Sequence, residues 1–236
     1  MDTEVETMDM PGSGRNCLPL FIWLSPAFPV GSFAYSHGLE WAVEVGDVRD
    51  GESLKRWIED LIGHGSLRND SLLCAAAWRA LAEAARPSLA EANELALALA
   101  PCAERYLETT AQGNAFAEAV AQAWPCRGLQ SLADSTSDIA YPVALGAAAA
   151  ENSIELVATL AAFTLAFQGN LVSAALRLGT MGQSEALKLT ADLLPSLQAL
   201  AQFAARAPLA DLGSCSFRAD VASMRHETQY SRLFRS

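Results

Sequence analysis

The chain has 236 residues, 51% of them hydrophobic and only 18% charged, which excludes a disordered body and leaves enough apolar material for a sizeable core of one domain or two small ones. Asp and Glu total 27 against 16 Lys and Arg, for a net charge of −11. That balance excludes a broad basic face for nucleic acid, which needs clustered positive charge to displace counterions. The five cysteines are odd in number and form no CxxC pair, which argues against a disulfide framework or a Cys-rich zinc site and fits a reducing cytoplasm.

Residues 1–16 are acidic and then rich in Gly, Pro and Ser. They read as a disordered tail, since a secretory leader needs a basic start and an apolar run. From Leu24 to Glu40 two prolines and Gly31 predict a rigid extended or turn segment feeding a helix. Ser32 is the expected N-cap of that helix, which carries Phe33, Tyr35 and Trp41, with Trp41 in the core. Leu54, Trp57, Ile58, Leu61 and Ile62 then mark one face of an amphipathic helix. Asn69 or Asp70 is the expected cap of the next helix, with Leu73, Ala76, Ala77, Ala80 and Ala84 along it. Ser88 and Glu91 form a capping box behind Pro87 and ahead of Ala92, Leu95, Ala96 and Leu99. Residues 102–124 predict a long helix entered near Pro101, stopped by Pro125 and containing Gly113.

Further on, Ser153 is the expected cap of a helix running to about Phe167, and Gly169 of a break or tight packing point before Leu171–Leu178. The apolar run Leu156–Phe167 stops at Gln168-Gly169-Asn170. It is short of the roughly 20 residues a membrane span needs, so it reads as a buried core helix. Residues 183–205 continue as helix, kinked or split at Pro195. No stretch alternates with period two, and abundant Ala lets helix axes approach closely. The expectation is an all-α, compact single-domain bundle of about eight to ten helices over residues 17–223.

Tests for catalytic patterns come out negative. The two lysines, Lys55 and Lys188, do not follow a glycine, so there is no P-loop. Ala34-Tyr35-Ser36-His37-Gly38 approaches a nucleophile elbow but lacks its first glycine and a preceding strand. His37, His64 and His226 are far apart in sequence and form no metal-binding spacing. No catalytic, cofactor-binding or metal-ligating residue is assigned, and a scaffold or binding protein is favoured over an enzyme. The alternatives are a small helical enzyme using Ser36, His37 or His226 with a carboxylate, and an unrelated regulatory binding module. The last segment, 224–236, is polar, basic and aromatic in an otherwise acidic chain. It has the composition of a docking tail that is mobile alone and orders on a partner; the competing reading packs it back on its own bundle.

Several blocks taken together carry a resemblance: Ser25-Pro26 through Glu40; Glu108 with Gly113; Tyr141-Pro142-Val143-Ala144-Leu145-Gly146; Ser173-Ala174-Ala175-Leu176-Arg177-Leu178 followed by Gly182-Gln183; and His226-Glu227 with Ser231-Arg232-Leu233-Phe234 and Ser236. In this order they resemble the urease accessory protein UreF family. The chain departs from the family pattern at Gly179-Thr180-Met181 and lacks a second glutamine near Leu187. The resemblance implies an all-α chaperone without enzymatic activity. It implies pairing with the UreD (UreH) accessory protein, dimer formation, recruitment of the nickel-carrying GTPase UreG, and action on apo-urease. It also implies partner contacts at Phe33, Tyr35, His226, Glu227, Tyr230, Ser231, Arg232, Leu233 and Phe234, with Phe33 and Arg232 serving the GTPase.

Overall fold

The computed structural model describes residues 17–83 and 88–236. The N-terminal tail at 1–16, Ala84 and Pro87 lie outside the described residues. Among those described there are eleven α-helices, two 3-10 turns and no strand, slightly more helices than the sequence predicts because two are only six residues long.

The centre is α8 (Tyr141–Glu151), in which every residue from Pro142 to Ala149 is buried. A helix apolar on all sides has to be covered on all sides. It packs most extensively on α4 (Ser66–Ala82) and then on α6 (Ala103–Ala123), while α5 (Leu89–Ala98) and α7 (Arg127–Ser135) flank it. Two glycines permit this closeness. A Cβ on Gly146 would lie 2.2 Å from the Cys74 carbonyl oxygen of α4, and one on Gly113 of α6 would lie 1.9 Å from the Ile139 carbonyl oxygen just before α8. Edge-on contacts link Trp23, Phe116 and Tyr141, and Phe163 continues the row.

The second layer is α9 (Leu156–Arg177) against α10 (Gln183–Ala204), with α3 (Gly51–His64) beside α10. Here the structure corrects several boundaries. Glu155, not Ser153, caps α9: its carboxylate accepts from the N–H groups of Val157 and Ala158 at 3.1 and 2.9 Å. The helix runs unbroken through Gly169, where nothing approaches within 4 Å. Its 22 residues therefore have the length and composition of a membrane span. Leu160, Thr164, Phe167, Gln168 and Leu171 are nevertheless buried against the bundle. Gly179, at φ 75°, ends α9, with N–H groups of Gly179 and Thr180 returning to Leu176 and Ala175 carbonyls at 3.1 and 3.2 Å. This left-handed cap is the work of the departing Gly179-Thr180-Met181 stretch. Pro195 stays inside α10, held by the buried Leu193 and Leu197 on either side. Asn69 and Asp70 are the fourth and fifth residues of α4 rather than its cap, because Gly65 is the extended residue that starts it. The Ser88–Glu91 box stands as the sequence predicts it, with Glu91 N–H to Ser88 Oγ at 3.3 Å and Ser88 N–H to Glu91 Oε2 at 2.7 Å.

At one end of the bundle, α1 (Leu18–Trp23) and a 3-10 turn at Ser32–Ala34 lead into α2 (Leu39–Glu44), and α11 (Phe217–His226) packs across α2 and α6. Ser32 does not cap a helix bearing Phe33 and Tyr35. Phe33 lies in the 3-10 turn and Tyr35 is extended, because left-handed residues at Gly31, His37 and Gly38 break the chain into turns before α2 begins.

Candidate docking site

The sequence-predicted site residues come from two places 190 residues apart, and the fold brings them together. The segment after α11 runs back along α2 and ends beside the turn that precedes it. Arg235 N–H donates to the Ala34 carbonyl and Ser36 N–H to the Ser236 carbonyl, both at 2.7 Å, a two-rung backbone pairing. Ser36 Oγ also donates to the Ser236 carbonyl at 2.5 Å. Gly38 is required here: at φ 75° a Cβ would meet the Ser223 backbone of α11 at 2.7 Å.

Three glutamates organise the seam. Glu40 of α2 accepts from the backbone N–H groups of Leu233 and Phe234 at 2.6 and 2.9 Å, and its Oε2 lies 3.1 Å from His226 Nε2. Glu104 of α6 takes His226 Nδ1 at 2.7 Å and the Arg232 guanidinium at 2.8 Å. Glu108, one turn on, accepts from Ser236 Oγ at 2.6 Å, from Arg105, from Gln112 and from His37 Nε2 at 3.1 Å. Phe234 is buried beneath Arg177, whose guanidinium carbon is 4.2 Å from the ring centroid. Gln229 donates to Glu44.

Placement divides the sequence-predicted residues. Phe33, Glu227, Tyr230, Ser231, Arg232 and Leu233 are exposed. Tyr35, His226 and Phe234 are buried in the seam against the chain's own helices. The segment predicted to be mobile alone is seated by these carboxylates. Glu40, Glu104 and Arg177 were not legible as site residues, and Ser36, read only as a candidate for catalysis, was not legible as part of a seam, because their partners stand between 57 and 200 positions away and no local spacing reveals them.

Beside the seam a pocket of about 300 Å³ opens under the Ser25–Phe33 segment, walled by Trp23, Pro26, Phe163 and Phe167 and floored by His37, Asp70, Arg105 and Glu108. Burial, and then Arg105, push the His37 imidazole down to about 3. It is therefore neutral, with Nδ1 accepting from Arg105 and Nε2–H donating to Glu108. Burial alone would raise Glu108, but Arg105, His37 and Ser236 hold its carboxyl below the ordinary value. Asp70 has less help, and burial pushes it up to about 6. Leu18, Phe21, Ile22 and Phe33 stand exposed on α1 and the 3-10 turn. Among the described residues no group of three or more His, Cys, Asp or Glu is placed to hold a metal ion.

The structure is that of an all-helical protein whose first turns and C-terminal segment meet in one seam. Comparison with known proteins makes that specific. The UreF family model matches residues 48–194. The urease accessory protein UreF of Methylorubrum populi is 51% identical over 222 residues, covering 94% of this chain and 99% of that protein. Those of Xanthobacter autotrophicus and Azorhizobium caulinodans are 53% identical over 220 residues (93% of this chain, 90% of that protein) and 49% identical over 231 (98% and 100%). The chain belongs to the UreF family.

Proposed function

We propose that this chain is a non-catalytic scaffold of urease maturation in the cytoplasm. It pairs with a UreD-type (UreH-type) accessory protein, forms a homodimer within the complex, and recruits a UreG-type GTPase for nickel insertion into apo-urease. The observation that carries the reading is similarity over more than nine-tenths of the chain, at about half identity, to proteins named urease accessory protein UreF. The docking geometry supports it. Phe33 is 64% exposed on the wall of the pocket, and Leu18, Phe21 and Ile22 are exposed on α1, aromatic and aliphatic side chains of the kind interfaces bury. The exposed part of the C-terminal segment adds Glu227, Tyr230, Ser231, Arg232 and Leu233 to the same end of the bundle.

Co-purification from cells expressing the three partners with this chain tests the reading. Phe33→Ala is expected to melt within a degree or two of the wild type and to retain the UreD-type partner. It is expected to lose about thirtyfold in affinity for the GTPase, the effect of cutting an anchor worth about 2 kcal/mol. Arg232→Ala is expected to lose the GTPase as well, with a small drop in melting temperature because Arg232 also grips Glu104. GTPase recruitment unchanged in Phe33→Ala would count against the assignment.

A further inference from the structure

We propose that the C-terminal segment, from the last turn of α11 to Ser236, is a proton-dependent clasp whose hold on α2 and α6 weakens as pH rises. His226 is fully buried, and each of its ring nitrogens faces a carboxylate oxygen: Nε2 faces Glu40 at 3.1 Å and Nδ1 faces Glu104 at 2.7 Å. A carboxylate can only accept, and a neutral imidazole has one donor and one acceptor. Both contacts are satisfied only if the cluster holds one proton more than a neutral imidazole and two carboxylates. Without it, an acceptor faces an acceptor in a site sealed from water, where an unmade hydrogen bond costs most.

The neighbouring charges are accounted for. Arg232 neutralises one unit on Glu104, and the N–H groups of Leu233 and Phe234 support Glu40. Further out, Glu227 accepts from Glu104 N–H at 3.4 Å, Glu44 accepts from Gln229, and Arg105, Glu108 and His37 form a separate group satisfied among themselves. Asp220 stands earlier on α11, where Arg105 partly offsets the effect of its burial. With Glu40 and Glu104 both charged, the proton on His226 completes the balance. When it leaves, the last turn of α11 draws back and the two N–H groups lose their alignment on Glu40. The inference rests on the seam alone and stands whether or not the partners proposed above are correct.

Hydrogen exchange of the full chain, followed by mass spectrometry between pH 6 and 9 and corrected for intrinsic rates, reads the clasp directly. Protection of residues 227–236 is expected to fall by up to tenfold per pH unit over at least one unit, the linkage slope for one proton, while α4 and α8 stay level. Glu104→Gln supplies an amide N–H to Nδ1 and an oxygen to Arg232, which suits a neutral imidazole. Its clasp is expected to be protected without a pH slope. His226→Gln carries no titrating proton, and its clasp is expected to be less protected at every pH and equally flat. A wild-type segment with no more slope than α8, or a wild-type slope retained in either variant, overturns the proposal.

Discussion

Glu40 illustrates how much one side chain carries at this end of the molecule. Its carboxylate collects two backbone N–H groups from the returning segment and a contact with His226. Glu40→Ala strands two backbone donors, that of Phe234 buried and that of Leu233 partly so, and removes a charge that balances others, at a cost of about 3 kcal/mol. For a chain of this size that corresponds to a melting temperature roughly 6–12 °C lower. Glu40→Gln keeps an acceptor oxygen and is expected to fall about halfway. Thermal melts of the two variants check this, and equal melting of Glu40→Ala and wild type would remove Glu40 from its role. The sequence offers Glu40 only as the end of a motif. Its partners lie 186 to 194 positions downstream, so composition marks the tail as a docking segment without saying that its first dock is its own bundle. Phe33 is the opposite case. The sequence reads it as the start of a helix whose core needs Leu39, Ala42 and Val43 already meet, and so as spare; the fold moves it into a turn ahead of that helix and leaves it exposed.

Between elements, closeness is set by where glycine stands. Gly113 and Gly146 let α6 and α4 approach backbone to backbone at α8, and a methyl group at either place meets a carbonyl oxygen. Gly113→Ala and Gly146→Ala are each expected to cost more than about 3 kcal/mol, as overpacking against rigid backbone does, and to be seen as loss of cooperative unfolding in denaturant. Gly169 lies mid-helix with open space around it, so Gly169→Ala is expected to stabilise by about 0.5–1 kcal/mol through helix propensity. The three glycines look alike in sequence, since each interrupts a helical pattern, and only the neighbouring helix distinguishes them. The same limit explains the reading of the helices themselves. The face of α3, the extent of α6 between its prolines and the Ser88 cap of α5 are local signals and were legible. The uniformly apolar α8 has no polar face to give it a period, and the bounds of α9 depend on Glu155 and on the Gly179 turn rather than on the nearer Ser153 and Gly169.

For the molecule as a whole, the titratable groups on the pocket floor shape how stability varies with pH, and two of them act in opposite directions. The His37 imidazole is held at about 3 in the fold against 6.5 when free of it, so the native state resists taking up a proton that the unfolded chain accepts. Its stabilisation is complete above pH 6.5 and is lost as pH falls toward 3. Asp70 is raised to about 6 from 3.8, so the native state resists losing a proton. Its contribution is complete below pH 3.8 and is lost as pH rises to 6, leaving a buried carboxylate at neutral pH that costs up to about 3 kcal/mol by the same linkage. Asp70→Asn is therefore expected to gain on the wild type as pH rises from 4 to 6 and to hold that gain above it; Arg105 keeps Glu108 as its partner throughout. His37→Gln is expected to gain on the wild type in the other direction, as pH falls below 6.5. Denaturant titrations at pH 4 and 7.5 separate the two, because the difference from wild type changes with opposite sign. A stability difference for Asp70→Asn that is the same at both pH values would mean that the carboxylate is hydrated through the pocket rather than held in a dry floor.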